Sequence, residues 1–243
     1  MTDIDVALRE RFGLAEFRPW QREAIEELLD GRRRVVVIAP TGGGKSLCYQ
    51  LPASILEGTT IVISPLIALM EDQVRALSER GIEATYLAST LDPEELRKRE
   101  RAMSEGAYRL VYVAPERLES SWFVDQLTRI PLALIAVDEA HCISQWGHDF
   151  RPSYMRIGEV IDKLRPTRVL ACTATATPLV RGEIQERLGL DADRAAVILR
   201  GFSRPNLHLA VLESDVAAER RKRMLRALAD ALGEPTAPRG GAI

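Results

Sequence analysis

The sequence predicts an α/β fold in which a doubly wound parallel sheet carries helices on both faces. Short apolar runs recur along the chain, at residues 35–38, 61–64, 84–87, 110–113, 132–137 and 169–172. Uninterrupted apolar runs of this length are typical of strands that are buried on both faces. Because amphipathic, helix-length stretches separate the runs, we expect neighbouring strands to be parallel and joined by crossover helices.

Helix boundaries are marked by residues with specific backbone roles. Asp92 and Thr177 each stand directly before a proline, which places a capping side chain ahead of a residue suited to the first helical turn. Gly81 and Gly189 follow helix-length stretches and are expected to end helices. The sequence therefore predicts helices that start at residues 93 and 178.

The pattern divides the chain into three segments, residues 1–32, 33–212 and 213–243. The first is predicted to be helical, and the second contains the predicted sheet. The third holds an amphipathic helix over 216–232 and ends in a stretch rich in proline and glycine, which is typical of a linker. The basic run 220–223 on that helix could be a DNA-binding patch. Because the helix also has an apolar face, these charges are more simply interpreted as its solvent-exposed side.

Composition excludes several classes of protein. With 33 Lys and Arg against 35 Asp and Glu, the 243-residue chain has a formal net charge of -2. A coat that neutralises many phosphates is therefore excluded, and any contact with nucleic acid must be local. The three cysteines lie far apart without a C-x-x-C pair, which suggests neither a disulfide framework nor a zinc site. No apolar stretch reaches the length of a membrane span, so we expect no membrane partner.

A glycine-rich loop follows the first predicted strand, at residues 39–46, and a helix follows the loop. Backbone N–H groups at Gly42, Gly43 and Gly44, next to Thr41, can converge on phosphate oxygens at the N-terminus of that helix. In the next two positions, Lys45 reaches the outer phosphates and Ser46 can ligate magnesium. The alternative is a glycine-rich turn without a ligand, which the flanking strand and helix disfavour.

An acidic pair, Asp138 and Glu139, ends the longest apolar run. The carboxyl edge of a parallel sheet is where ligands bind in open α/β folds. Two adjacent carboxylates there require a cation, so Asp138 is predicted to hold Mg²⁺, largely through water. Glu139 is predicted to orient and deprotonate an attacking water, as phosphoryl transfer demands.

The residues around this pair resemble a known family. Residues 138–152 read D-E-A-H-C-I-S-Q-W-G-H-D-F-R-P and resemble the RecQ helicases of superfamily two. The resemblance implies the first RecA-like P-loop NTPase lobe of an ATP-dependent DNA helicase that tracks DNA from three-prime to five-prime in repair and recombination. It implies ATP and Mg²⁺ as cofactors, and single-stranded and partially duplex DNA as partners.

The resemblance also implies a second RecA-like lobe, and we expect the sequence to stop where that lobe would begin. We therefore expect a truncated, monomeric chain that hydrolyses ATP weakly on its own. The expected location is the cytoplasm, at the nucleoid of a bacterium, or the nucleus of a eukaryote.

A short N-terminal motif is similar to the family's adenine-recognition element. In that element Gln21 reads the edge of the base and Arg18 packs against it. Leu14 is a departure, because many relatives carry an aromatic residue there that stacks on adenine. The alternative for Gln21 is an ordinary exposed glutamine on a helix.

The resemblance further implies a DNA track made of strand-to-helix loops and an aromatic segment, residues 144–154. The residues assigned to the track are Ser64, Pro65, Arg117, Trp146, His148, Phe150 and Arg151. Aromatic side chains stack on unpaired bases, but the alternative is that Trp146 and Phe150 pack beneath the loop.

Three residues are implied to couple the nucleotide site to the other lobe: His141, Thr173 and Thr175. A helix-capping role is the alternative for His141. Two other functions remain open, namely an RNA helicase lobe and a non-catalytic nucleic-acid-binding or scaffold fragment. The aromatic segment disfavours the first, and intact Lys45, Asp138 and Glu139 disfavour the second.

Overall fold

A computed structural model describes residues 3–146, 149–191, 193–200 and 216–232. The helices are α1 Ile4–Phe12, α2 Pro19–Leu29, α3 Leu47–Ile55, α4 Ile67–Ser78, α5 Pro93–Ser104, α6 Ser121–Leu127, α7 Ile157–Leu164, α8 Pro178–Arg187 and α9 Ala217–Leu232. The strands are β1 Arg34–Ile38, β2 Thr59–Ile63, β3 Ala84–Leu87, β4 Leu110–Val113, β5 Leu132–Val137, β6 Val169–Thr173 and β7 Ala196–Leu199. Short 3₁₀ helices cover Pro115–Glu119, Ala140–Ile143 and Pro152–Arg156.

The strands form one parallel sheet with the order β3-β4-β2-β5-β6-β1-β7. Each of the six predicted strands is present: β3, β4 and β5 have the predicted ends, and the ends of β1, β2 and β6 differ by one or two residues. The sequence prediction missed β7, which pairs with β1 at the edge of the sheet. There Val197 and Leu199 keep 36% and 47% of their surface exposed, so β7 is an apolar strand that is not buried on both faces.

Alternate residues of each strand point to opposite faces, and both faces are covered by helices. On one face Val36 and Ile38 pack in a core with residues of α6, α7 and α8. On the other face Val35 and Val37 pack with α2, α3 and α4. The prediction of a doubly wound parallel sheet with helices on both faces is thus confirmed.

The predicted helix boundaries are confirmed by their capping geometry. The Asp92 carboxylate accepts a hydrogen bond from the N–H of residue 94 at 2.8 Å, and the Thr177 hydroxyl accepts one from residue 180 at 3.3 Å. Gly81 and Gly189 follow their helices with φ values of 72° and 61°. Side chains other than glycine rarely adopt this left-handed backbone, which explains glycine at both positions.

Two compact units are present, residues 1–202 and 203–243. The first contains α1 and α2, which pack with α3 in a small core of their own. The predicted boundary at residue 212 lies outside the described residues. In the second unit, α9 leaves Met224 and Leu225 more than half exposed. Within the described part of the chain, no helix is both long and apolar enough to span a membrane.

Candidate functional site

The predicted functional loops emerge at one edge of the sheet. Strands β2, β5, β6 and β1 are neighbours in that order and are parallel, so their carboxyl ends lie side by side. The phosphate loop follows β1, the acidic pair follows β5, and Thr173 ends β6 between them. This edge is the usual ligand site of open parallel sheets.

The phosphate loop has a backbone that only glycine adopts easily at two positions. Gly42 and Gly44 have φ values of 73° and 80°, and a Cβ on Gly44 would lie 2.6 Å from Nε2 of Gln21. Lys45 lies along the loop, with Nζ donating to the carbonyls of Ala39 at 2.9 Å and Pro40 at 3.3 Å. In the ligand-free chain the Lys45 ammonium is therefore held by the carbonyl oxygens at the start of the loop.

Gln21 joins the N-terminal motif to the phosphate loop. It is buried, with 5% of its surface exposed, so the alternative of an exposed helical glutamine is wrong. Its Oε1 accepts from the Arg18 N–H at 2.9 Å, while Nε2 donates to the Gly44 carbonyl at 3.0 Å. The Leu14 and Arg18 side chains are exposed.

Asp138 is a buried carboxylate, with 7% of its surface exposed. Burial, and then repulsion by the adjacent Glu139 carboxylate, raise the pKa of Asp138 from 3.8 to about 6. The Tyr154 hydroxyl donates to the Asp138 carbonyl at 2.9 Å. Tyr154 is fully buried, so it supports the acidic pair from below and is not one of the aromatics available to a base.

Asp138→Asn is expected to raise the free energy of unfolding of the ligand-free chain at pH 8 by on the order of 2 kcal/mol, because it removes a buried charge. The pKa of Asp138 is higher in the folded chain than its usual 3.8. Folding therefore takes up a proton between these values, and the free energy of unfolding falls as pH rises through the window. Urea denaturation should show the gain at pH 8 and its disappearance near about pH 4.

Asp72→Asn is the matched control, since the Asp72 side chain is 62% exposed and pairs with Arg75 at the surface. Exposed pairs contribute little, so this variant should be unchanged at both pH values. A lower free energy of unfolding for Asp138→Asn at pH 8 would show that the ionised carboxylate does not destabilise the folded chain.

Glu139 and His141 connect the acidic pair to the strand beside it. Glu139 has a left-handed backbone, with φ of 46°, and its Oε2 lies 3.2 Å from Nδ1 of His141. The same nitrogen lies 2.9 Å from Oγ1 of Thr173, which in turn donates to the Thr175 carbonyl at 3.1 Å. His141 is buried and its ring bonds to Thr173 at the end of β6, so the helix-capping alternative is wrong.

The series of side-chain contacts that runs from Glu139 through His141 and Thr173 to Thr175 also reaches the phosphate loop. The N–H of Ala39, the first residue of that loop, donates to the Thr173 carbonyl at 3.1 Å. The three loops are thus connected by direct hydrogen bonds. This arrangement joins His141, Thr173 and Thr175, the residues predicted to couple the nucleotide site to the other lobe.

The aromatic segment exposes its predicted stacking groups. Trp146 is 72% exposed and Phe150 is 36% exposed, so the alternative that Trp146 packs beneath the loop is wrong. Arg151 donates from Nη1 to the Pro65 carbonyl at 3.3 Å, which ties this segment to the loop after β2. His148 lies outside the described residues.

Two residues predicted on the DNA track point inward. Ser64 is 1% exposed, so its hydroxyl is not on the surface; only the loop that follows it is. Arg117 forms an ion pair with the buried Glu100, and its guanidinium lies 5.1 Å from the centroid of the Phe123 ring. A phosphate contact by Arg117 would require this pair to open, because a half-buried Arg is held by both partners.

Sequence reasoning missed a buried polar network behind the phosphate loop. Tyr49 forms a hydrogen bond with Ser46, and burial raises the pKa of Tyr49 well above its usual value. The Tyr49 and Tyr112 rings meet edge to face at 6.3 Å. Gln50 donates to the Tyr112 hydroxyl at 3.0 Å and to Gln73 at 2.6 Å. The only signal was polar side chains within an otherwise apolar helix, which did not suggest partners on β4 and α4.

Comparisons with known proteins agree with this geometry. A family model described as DEAD/DEAH box helicase matches residues 18–181. The "ATP-dependent DNA helicase RecQ" of Bacillus subtilis is 50% identical over 205 residues, which cover 84% of this chain and 34% of the relative. The "Probable ATP-dependent DNA helicase RecS" of the same organism is 40% identical over 228 residues, covering 93% of this chain and 45% of the relative.

Solved structures show the same fold. The helicase domain of Hef from Pyrococcus furiosus superposes with a TM-score of 0.57 at 19% identity, over 92% of this chain and 48% of that chain. The chain spans between about a third and a half of the length of its curated relatives. The identity to a RecQ helicase agrees with the resemblance predicted from residues 138–152. The match over residues 18–181 shows that the chain belongs to the DEAD/DEAH box helicase family.

Proposed function

We propose that this chain is the ATP-binding and ATP-hydrolysing lobe of a RecQ-like DNA helicase, acting at the nucleoid or in the nucleus. The observation that carries the proposal is the convergence at one sheet edge of the phosphate loop, the acidic pair and Thr173. In such an arrangement, nucleotide binding and a change in the DNA-facing loops are mechanically linked.

The nucleotide phosphates are proposed to lie on the loop of residues 39–46. Lys45 would exchange its two carbonyl contacts for phosphate oxygens, which attract an ammonium group more strongly. The buried Asp138 carboxylate, whose pKa is raised in the ligand-free chain, fits a site completed by a cation, and Ser46 offers a hydroxyl. Mg²⁺ held by these two residues would neutralise charge on the phosphates.

Glu139 is proposed to accept the proton of the attacking water. Its carboxylate is partly exposed at the sheet edge and is oriented by the 3.2 Å contact with His141. On the other side of the loop, Arg18 and Gln21 would hold the base. The planar Arg18 guanidinium would stack on the base. Leu14 is aliphatic and would only pack against it, so this chain offers one stacking group fewer than relatives with an aromatic residue at that position.

Single-stranded DNA is proposed to run over the aromatic segment and the loop after β2. Trp146 and Phe150 are exposed for stacking, and Arg151 joins the two surfaces through the Pro65 carbonyl. The curated relatives are named DNA helicases, which favours DNA over the alternative of an RNA helicase. The intact acidic pair and lysine favour catalysis over the alternative of a scaffold.

Trp146→Ala is expected to weaken binding of a single-stranded oligodeoxynucleotide by roughly 5- to 150-fold, because stacking of one base is worth about 1 to 3 kcal/mol. ATP hydrolysis without DNA should stay unchanged, while its stimulation by DNA falls. Fluorescence anisotropy of a labelled oligonucleotide and a coupled ATPase assay measure the two effects.

Trp122→Ala is the matched control, because Trp122 is also an exposed tryptophan, at 55%, but lies on α6. It should leave DNA binding unchanged. Equal losses in both variants, or a loss in neither, would contradict the proposed DNA surface. An oligoribonucleotide of the same sequence tests the rival, since stronger stimulation by RNA would favour an RNA helicase.

A further inference from the structure

A second cluster of ligand-type side chains lies directly behind the acidic pair. His141, Cys142 and Asp149 present an imidazole nitrogen, a thiol sulfur and a carboxylate oxygen within 4.8 Å of one another. Sγ of Cys142 lies 3.9 Å from Nε2 of His141 and 3.6 Å from Oδ2 of Asp149. The carbonyl of Cys142 accepts from the Arg151 N–H at 2.9 Å, which folds the segment back and brings Asp149 over the thiol.

These separations suit a single small ion. Zinc lies about 2.3 Å from thiolate sulfur and about 2.0 Å from imidazole nitrogen or carboxylate oxygen. Two ligand atoms of one tetrahedral ion are therefore about 3.3 to 3.8 Å apart. The 3.6 Å from Cys142 Sγ to Asp149 Oδ2 falls in this range, and the 3.9 Å from Sγ to His141 Nε2 is slightly longer. All three ligand atoms lie within 4.8 Å of one another, so binding an ion requires the side chains to draw together by up to about 1 Å.

The orientation of His141 is the one that metal-ligating histidines adopt. Nδ1 faces the Glu139 carboxylate at 3.2 Å and the Thr173 hydroxyl at 2.9 Å. Because Thr173 donates its own proton to the Thr175 carbonyl, Nδ1 is assigned as the N–H donor to both. The lone pair of Nε2 then points toward Cys142. In zinc sites, a carboxylate commonly accepts a hydrogen bond from the histidine nitrogen that does not bind the metal.

We propose that His141, Cys142 and Asp149 form a binding site for a borderline-soft divalent cation of the zinc class. The set of one nitrogen, one sulfur and one oxygen leaves a fourth position for water. Mg²⁺ is excluded from this site, because it takes oxygen ligands and leaves thiolate and imidazole to softer metals. The site is therefore separate in chemistry from the one assigned to Asp138 and Ser46.

Binding breaks the S–H bond of Cys142 and forms a sulfur–metal bond, and the proton leaves to solvent. Burial raises the pKa of Cys142 to about 12, so the thiol is protonated in the metal-free chain. Asp149 also gives up part of its contact with Arg151, whose Nη2 lies 3.2 Å from Oδ2. A bound ion thus holds His141 behind Glu139 and loosens Arg151 behind the aromatic segment. The consequence for hydrolysis rests on the proposed function.

Cobalt spectroscopy tests the site directly, because Co²⁺ occupies zinc sites and a thiolate ligand gives it a charge-transfer band in the near ultraviolet. The whole 243-residue chain is reduced, stripped of metal with a chelator and titrated with Co²⁺. We expect one equivalent to produce the band, and one equivalent of Zn²⁺ to abolish it. Cys142→Ser should remove the band, and Asp149→Asn should weaken Co²⁺ binding at least about tenfold.

Cys48→Ser is the matched control, because Cys48 is a second buried thiol and lies on α3. It should retain the band. A band that persists in Cys142→Ser, or unchanged affinity in Asp149→Asn, overturns the proposal. Asp149 is half-exposed, so that variant remains decisive even if the buried serine prevents folding. The readout does not depend on ATP hydrolysis, so failure of this site and failure of the proposed function are distinguishable.

Discussion

Replacing Glu139 with Gln is expected to lower kcat for ATP hydrolysis by a hundredfold or more, since a positioned general base contributes about 10² to 10⁴ in rate. Nucleotide affinity should change little, because the amide keeps the size and one oxygen of the carboxylate. The loss therefore belongs to kcat and not to binding. Single-turnover hydrolysis and calorimetric titration with a non-hydrolysable ATP analogue measure the two quantities separately.

The geometry around Glu139 makes this substitution informative. The Gln Oε1 can still accept from His141 Nδ1, as Oε2 of the carboxylate does at 3.2 Å, so the loop should keep its conformation. Glu159→Gln serves as the control, because Glu159 is 76% exposed and lies on α7. If Glu139→Gln hydrolysed ATP at the parental rate, another group would have to be the base.

The fold could be predicted from sequence because its strands are buried on both faces. Val35 and Val37 meet one helical layer and Val36 and Ile38 the other, so the run carries no polar residue and is easily recognised. Edge strand β7 was missed although Ala196–Leu199 is equally apolar. Its exposed Val197 and Leu199 show that an apolar run does not by itself establish burial on both faces. The order of the sheet was not predicted, since a strand's own residues do not specify its neighbours.

The site was predicted unevenly for a physical reason. Local features, such as a glycine loop before a helix, determine their own backbone, so the phosphate loop can be predicted from one short stretch of sequence. Contacts between segments are not. Whether Arg117 faces DNA or Glu100 depends on α5, and the thiol of Cys142 meets Asp149 only because the segment after it folds back. A search for paired cysteines could not find a site made of three different ligands.

The other large effect is expected for Lys45→Ala, which should lower affinity for ATP by about 30-fold or more. Removing one partner of a desolvated charge pair costs at least about 2 kcal/mol. In the ligand-free chain Lys45 donates to the carbonyls of Ala39 and Pro40. The variant therefore also loses two hydrogen bonds within the loop, and a loss of affinity could reflect a disordered loop instead of a missing charge.

Adenosine separates the two causes, because it has the base but no phosphates. A missing charge should weaken ATP and leave adenosine unchanged, whereas a collapsed loop would release Gln21, which donates to the Gly44 carbonyl at 3.0 Å, and weaken both. Lys163→Ala controls for general loss of charge, since Lys163 pairs with Asp125 on the surface of α7 and α6. Equal ATP affinity in Lys45→Ala and the parent chain would show that the phosphate loop is not part of the nucleotide site. Parallel losses of ATP and adenosine would assign Lys45 to holding the loop and leave the phosphates to its backbone N–H groups.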